Sequence, residues 1–190
     1  MNTLVRLVAL LAVIAMPAQA KEVAGVDMPD TMDAGGTQLV LNGAGVRTKR
    51  IVMNVDIYVG GLYLQERSSD AKAIIAADEP MAMKLHMVSK LITSERMEEA
   101  TTEGFDNATG GNTAPIQQHI DAFMAVFKEK IVPDDVFDIA YVPEQGVVVH
   151  KNGKPSGVVD GGLPFKQALF AIWLGDKPAH EGLRDGMLGK

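Results

Sequence analysis

The stretch "LNGAGVRTKRIVMNVDIYVGGLYL", Leu41–Leu64, decides how this chain is read, because its two halves point to different chemistry. Gly43-Ala44-Gly45 resembles the start of a phosphate-cradling glycine loop. The second half, Ile51–Leu64, alternates in the two-residue period of a strand. Ile51, Met53, Val55, Ile57 and Val59 form an apolar face, with Asn54, Asp56 and Tyr58 pointing the other way. A dinucleotide fingerprint needs G-x-G-x-x-G running from a strand into a helix, whose dipole then meets the phosphate. Here Thr48 stands at the third glycine position, a strand follows, and there is no Lys-Ser/Thr pair of a P-loop. The glycines Gly43 and Gly45 therefore read as a tight turn between strands, and Gly60-Gly61 as a bulge or a close backbone approach. Arg47 is left at the mouth of an apolar run. Spacing alone favours a surface ion pair with one of the 24 acidic residues, which contributes little stability. The alternative is an inward-turned guanidinium at a sheet end, sharing a cavity with Tyr58.

Outward from this segment the pattern changes twice. "MAMKLHMV", Met81–Val88, reads as another strand. "TSERMEEATTEGFDNA" opens with Thr93 and Ser94 as cap candidates and Glu95, Glu98 and Glu99 in its first turns, where a helix dipole favours anions. After the turn "NATGGN", "APIQQHIDAFMAVFKEKI" carries Ile116, Ile120, Phe123, Phe127 and Ile131 at helical spacing. Strands return in "DVFDIAYV" and "GVVVHKNGKPSGVV", with Asn152-Gly153 as a hairpin turn. Pro164 opens a helix that Gly175 closes, and Asp176 is the cap expected for a last helix. Strands, two helices, strands and two helices make an α+β fold, an antiparallel sheet with helices on one face.

The first twenty residues read as an address. Arg6 precedes an apolar core, Leu7–Met16, then Pro17 and the small residues Ala18 and Ala20, the layout of a signal peptide cleaved after Ala20. That core is short of the roughly 20 residues a membrane span needs. The expectation is a periplasmic protein whose domain is residues 21–190, a monomer with no integral membrane span. A formal net charge of −6 disfavours nucleic acid as a partner. Cysteine is absent, so neither a disulfide nor a thiol nucleophile is available. His86, His119, His150 and His180 lie far apart without paired ligand spacing, so no metal and no cofactor are expected. There is no G-x-S-x-G elbow. Methionines, including Met53, Met83 and Met97, suit either an adaptable apolar pocket or core filling.

The run "LNGAGVRTKRIVMNVDIYVGGLYL", together with "LFAIWLGDKPAHEGLRDGMLG" near the C-terminus, resembles the chalcone isomerase family, specifically its exported bacterial chalcone-isomerase-like branch. The shared features are a glycine turn, Arg47, a strand closing in Gly61-Leu62-Tyr63-Leu64, and "IWLGDKP" at a helix junction. The resemblance implies an open-faced β-sandwich: a large antiparallel sheet with helices packed on one face and a ligand cleft between them. In the plant enzymes an arginine at the position of Arg47 orients a phenolate and stabilises enolate charge while a flavanone ring closes. In the fatty-acid-binding branch an arginine and a tyrosine hold a carboxylate, which implies Arg47 and Tyr58 here. The plant cleft tyrosine and asparagine fall near Arg96 and Glu103, and its strand threonine at Tyr58, so only the arginine of the catalytic set is retained.

These features lead to an expected binder of a small amphipathic anion, a fatty acid being the best guess. Arg47 is its anchor, Tyr58, Arg96 and Glu103 are further candidate ligand contacts, and apolar and methionine side chains line a tail pocket. An intramolecular lyase (isomerase) acting on a chalcone-like enone, with Arg47 catalytic, is the alternative. A third reading is a non-catalytic interaction protein with a collapsed cleft, in which an internal carboxylate neutralises Arg47.

Overall fold

Two long strands form the spine of the molecule. β4 (Thr37–Arg50) and β5 (Asn54–Leu64) run antiparallel and are joined at the tip Ile51–Met53. The computed structural model describes residues 21–190, so the expected leader at 1–20 lies outside the described residues. Around this pair the sheet is a meander of seven strands. In order these are β3 (Thr31–Ala34), β4, β5, β6 (Met81–Met87), β7 (Val136–Val142), β8 (Gly146–Lys151) and β9 (Lys154–Val159), each antiparallel to the next. The β8–β9 connection is the expected Asn152-Gly153 turn, and both residues have positive φ, 52° and 74°. A separate hairpin, β1 (Lys21–Val23) with β2 (Val26–Met28), precedes the sheet.

Among the described residues, five α-helices pack on one face of the curled sheet: α1 (Ala71–Ala76), α2 (Ser94–Thr109), α3 (Gln117–Met124), α4 (Gly162–Leu174) and α5 (Glu181–Met187). The main core lies between them and the sheet, where Leu62, Met83 and Leu85 meet Phe105, Phe123 and Phe165. The opposite face holds a smaller cluster, Leu39, Val59, Tyr63 and Ala82, packed with Val26 and Met28 of the β1–β2 hairpin. The α+β, open-faced architecture expected from the element order is the one observed. The three N-terminal strands and α1 are additions that the sequence pattern did not reveal. The helix expected over residues 114–131 is interrupted: only Gln117–Met124 is α-helical, with a 3-10 turn at each end.

Four local expectations are corrected. Gly43 and Gly45 are not in a turn; they lie inside β4, where α5 crosses the strand. A Cβ on Gly43 would lie 2.3 Å from the Gly186 carbonyl oxygen, and one on Gly186 would lie 2.7 Å from that of Ala44. The glycines permit backbone-to-backbone approach rather than chain reversal. Ile51–Met53 is not strand but an exposed hairpin tip, closed by the Ile51 N–H donating to the Met53 carbonyl at 3.1 Å. Tyr58 does not face away from the core. Arg47 pairs with Tyr58 and Thr48 with Asp56, so Ile57 is an extra residue, a bulge that shifts the alternation and buries both Ile57 and Tyr58 under the helices. Finally, α5 is capped by His180 rather than Asp176. The chain from Gly175 first folds back, Ala179 N–H donating to the Ile172 carbonyl at 2.7 Å, and the helix starts only afterwards.

The second bulge, at Asn42 of β4, anchors the same region. Its amide nitrogen donates to the carbonyls of Ser68 (2.9 Å) and Met187 (2.7 Å), and its oxygen accepts from Ser68 N–H (2.8 Å). The strand, the β5–α1 connection and the end of α5 are tied at one residue.

Candidate functional site

The tip end of the β4–β5 pair and the first turns of α2 enclose a cleft of about 450 Å³. Its sheet wall is Arg47, Lys49, Arg50, Ile51 and Ile57, its floor is Leu91 and Ile92, and its helix wall is Arg96, Glu99, Ala100 and Glu103. The helix wall is a consequence of spacing: residues three and four apart fall on one face, so Arg96, Glu99, Ala100 and Glu103 form a single stripe. Thr93 fixes where that stripe begins, its hydroxyl accepting from the Arg96 N–H at 3.3 Å. The lining carries four cations against two carboxylates, opposite in sign to the net −6 of the chain.

Arg47 is half-buried in the sheet wall, and among the described residues it forms no ion pair. The surface ion pair favoured by spacing is therefore corrected, and so is the neutralised arginine that a collapsed cleft requires. Its guanidinium carbon sits 5.7 Å from the centre of the Tyr58 ring, within cation–π range. Tyr58 itself is only 2% exposed and does not line the cleft. Its hydroxyl accepts a hydrogen bond from Trp173 Nε1 at 2.9 Å. Burial pushes the phenol pKa up, opposed by the charge of Arg47 and by the Trp173 hydrogen bond, so Tyr58 stays protonated. It supports Arg47 from behind rather than presenting a hydroxyl to the cleft.

Arg96 and Glu103 both line the cleft, on the exposed edge of its helix wall. Arg96 is held across the floor, its Nη1 donating to the Leu91 carbonyl at 2.6 Å. Of the residues singled out in the sequence, Arg47, Arg96 and Glu103 thus come together, whereas Tyr58 lies beneath. Lys49, Arg50 and Glu99 were missed. Glu99 had a legible signal, sitting between Arg96 and Glu103 at helical spacing; Lys49 and Arg50 had none until the tip was placed beside α2. Among the described residues no methionine lines the cleft; Met81, Met83, Met87 and Met97 fill the main core instead. A smaller recess of about 170 Å³ near α1 presents Glu66 and Glu79 and, among the described residues, no cation, which does not suit an anion.

The histidines take structural parts. His180 Nδ1 accepts the Leu183 N–H at 3.1 Å, so its Nε2 carries the proton and donates to Thr48 Oγ1 at 3.0 Å. Among the described residues no group of three His, Cys, Asp or Glu side chains is placed to hold a metal ion.

A curled antiparallel sheet of seven strands with helices packed on one side is the architecture of the chalcone-isomerase-like fold. The chain belongs to the chalcone isomerase-like family, whose model matches residues 20–189. Among solved structures it is similar to a fatty-acid binding protein of Arabidopsis thaliana, with a TM-score of 0.70 and 18% identity over 89% of this chain and 94% of that one. No curated protein sequence matches.

Proposed function

We propose that this protein binds a small amphipathic carboxylate, a fatty acid or close analogue, in the cleft between β4–β5 and α2, with Arg47 holding the head group. The observation that carries this reading is Arg47 itself: a half-buried guanidinium that lines a cleft and has no carboxylate partner among the described residues. Such a cation is costly unless solvent or a ligand anion compensates it, and a carboxylate meets its planar fork with two hydrogen bonds. The cleft volume of about 450 Å³ falls within the range of small-molecule sites, and Ile51, Ile57, Leu91 and Ile92 offer apolar contact for a tail. The fold shared with the plant fatty-acid binding protein supports the same ligand class.

Ring-closing isomerase chemistry has less support. Among the described residues the lining contains no tyrosine, asparagine or threonine, and the Tyr58 hydroxyl beneath Arg47 is buried against Trp173 Nε1, so it is not presented to the cleft to hold a phenol or order a water. The proposal includes export to the periplasm and membership of the exported bacterial branch of the family, on the strength of the leader-like residues 1–20. The deciding measurement is a titration of delipidated protein with long-chain fatty acids, by calorimetry or fluorophore displacement. Saturable binding is expected, weakened at least about tenfold in Arg47→Ala, the loss of one charged hydrogen-bonded pair. Absence of saturable binding at micromolar ligand would remove the reading.

A further inference from the structure

The β4–β5 tip extends beyond the cleft: Ile51 lines it, but Val52 and Met53 do not. Ile51, Val52 and Met53 are 59%, 93% and 72% exposed. Single exposed apolar side chains are ordinary, but three in sequence at the end of a protruding hairpin form a continuous patch. Exposed Lys49 and Arg50 precede the patch, and exposed Lys90 adjoins the cleft-lining Leu91. Asp56 is the one acidic residue in the hairpin segment 47–58. The tip is thus apolar at its end and cationic at its base, on a chain of net charge −6.

We infer that this tip docks on an anionic bilayer surface, Ile51, Val52 and Met53 entering the boundary between headgroups and acyl chains while Lys49 and Arg50 meet the lipid phosphates. An interfacial element needs apolar side chains that reach several ångströms into that boundary and cations that remain at headgroup level, and the hairpin supplies both. Charge sets the orientation. Screening limits the attraction to cations within roughly 10 Å of the surface. The basic tip is drawn in, and the acidic remainder of the molecule is repelled. A protein partner fits less well, because a stable protein interface buries about 800 Å² on each side, far more than a three-residue protrusion offers. A fluid surface makes no such demand for shape. Since Lys49, Arg50 and Ile51 also line the cleft, docking brings its mouth to the lipid. Only that last consequence rests on the proposed ligand; the docking itself does not.

The test is co-sedimentation of delipidated protein with phosphatidylcholine vesicles, with and without phosphatidylglycerol, at low and high salt. Binding is expected only with the anionic lipid, and it should weaken as salt rises. Val52→Asp should reduce it at least about fivefold, as should the double change Lys49→Glu with Arg50→Glu. Val52 is exposed and lies outside the cleft lining, so Val52→Asp should melt like the wild type and still bind fatty acid in solution. No wild-type binding to anionic vesicles, or equal binding by Val52→Asp, overturns the inference. So does a wild-type dimer that Val52→Asp dissociates without any vesicle binding, which would make the tip a protein contact. Vesicle binding with no fatty-acid binding would leave this inference standing and remove the ligand reading alone.

Discussion

Arg47 and Tyr58 face each other across β4 and β5, yet one bulge gives them different tasks. The extra residue Ile57 turns Tyr58 inward, where its hydroxyl takes the Trp173 indole hydrogen, and Arg47 is left at the cleft wall. The phenol gives the buried Trp173 Nε1–H its acceptor and offers its ring to the guanidinium. Replacing Tyr58 by Phe should therefore act on stability before affinity. Trp173 Nε1 would lose its partner, at a cost of about 1–3 kcal/mol, read as a shift in the urea midpoint. Fatty-acid affinity should change less than about threefold, since the ring beneath Arg47 remains. A tenfold loss of affinity with unchanged stability would instead put the Tyr58 hydroxyl in direct contact with ligand.

At the scale of elements, α5 on β4 shows how glycine serves packing. The helix lies so close that the Gly186 carbonyl occupies the space of a Cβ on Gly43, and Asn42 one residue earlier hydrogen-bonds the Met187 carbonyl. Gly43→Ala should force helix and strand apart and cost at least about 3 kcal/mol, because the colliding atoms, the Gly186 and Met187 carbonyl oxygens, are backbone and cannot rotate away. Thermal melts should show a comparable loss for Gly186→Ala. Gly36→Ala is no neutral control, since its φ of +84° strains any side chain; Lys154→Ala, exposed in β9, should stay within about 0.5 kcal/mol of wild type.

Over the whole molecule, one buried lysine joins two helices and sets a pH dependence. Lys166 of α4 is fully buried and donates to the carbonyls of Ile74, Ile75 and Ala77 at 2.8, 3.0 and 2.7 Å, closing the C-terminal end of α1. Burial pulls its pKa from 10.5 down to about 8, resisted by Asp78 and Glu79. Between those two values the unfolded chain binds the proton more tightly than the folded one, so stability should rise as pH increases from about 8 toward 10. The tyrosines then reverse the trend. Burial, with the hydrogen bond to Asp78, pushes Tyr141 up to about 12, and burial raises Tyr58 and Tyr63 as well. Above about 10 the unfolded phenols ionise first and stability falls. Urea unfolding across this range should show the rise in the wild type and not in Lys166→Met, which should itself lose about 2–4 kcal/mol by leaving carbonyls unpaired. A wild-type curve flat from pH 8 to 10 would contradict this account.

What the sequence by itself determined is local. Asn152-Gly153 makes its hairpin because Asn and Gly adopt positive φ at little cost, and Ile116, Ile120 and Phe123 bury one helix face because their spacing matches the helical period. Arg96 and Glu103 share a wall because they lie seven residues apart on one helix. The order of these elements was enough to define an α+β sheet with helices on one side. Only the tertiary structure decided that Gly43 accommodates α5, Glu181–Met187, from the far end of the chain, that Ile57 reverses the facing of Tyr58, and that Lys166 caps a helix in another part of the fold. It also decided that Arg47 borders a cleft with no acid paired to it among the described residues. Periodicity reports which side of an element a residue is on, whereas each of these outcomes depends on which distant atoms arrive at that side.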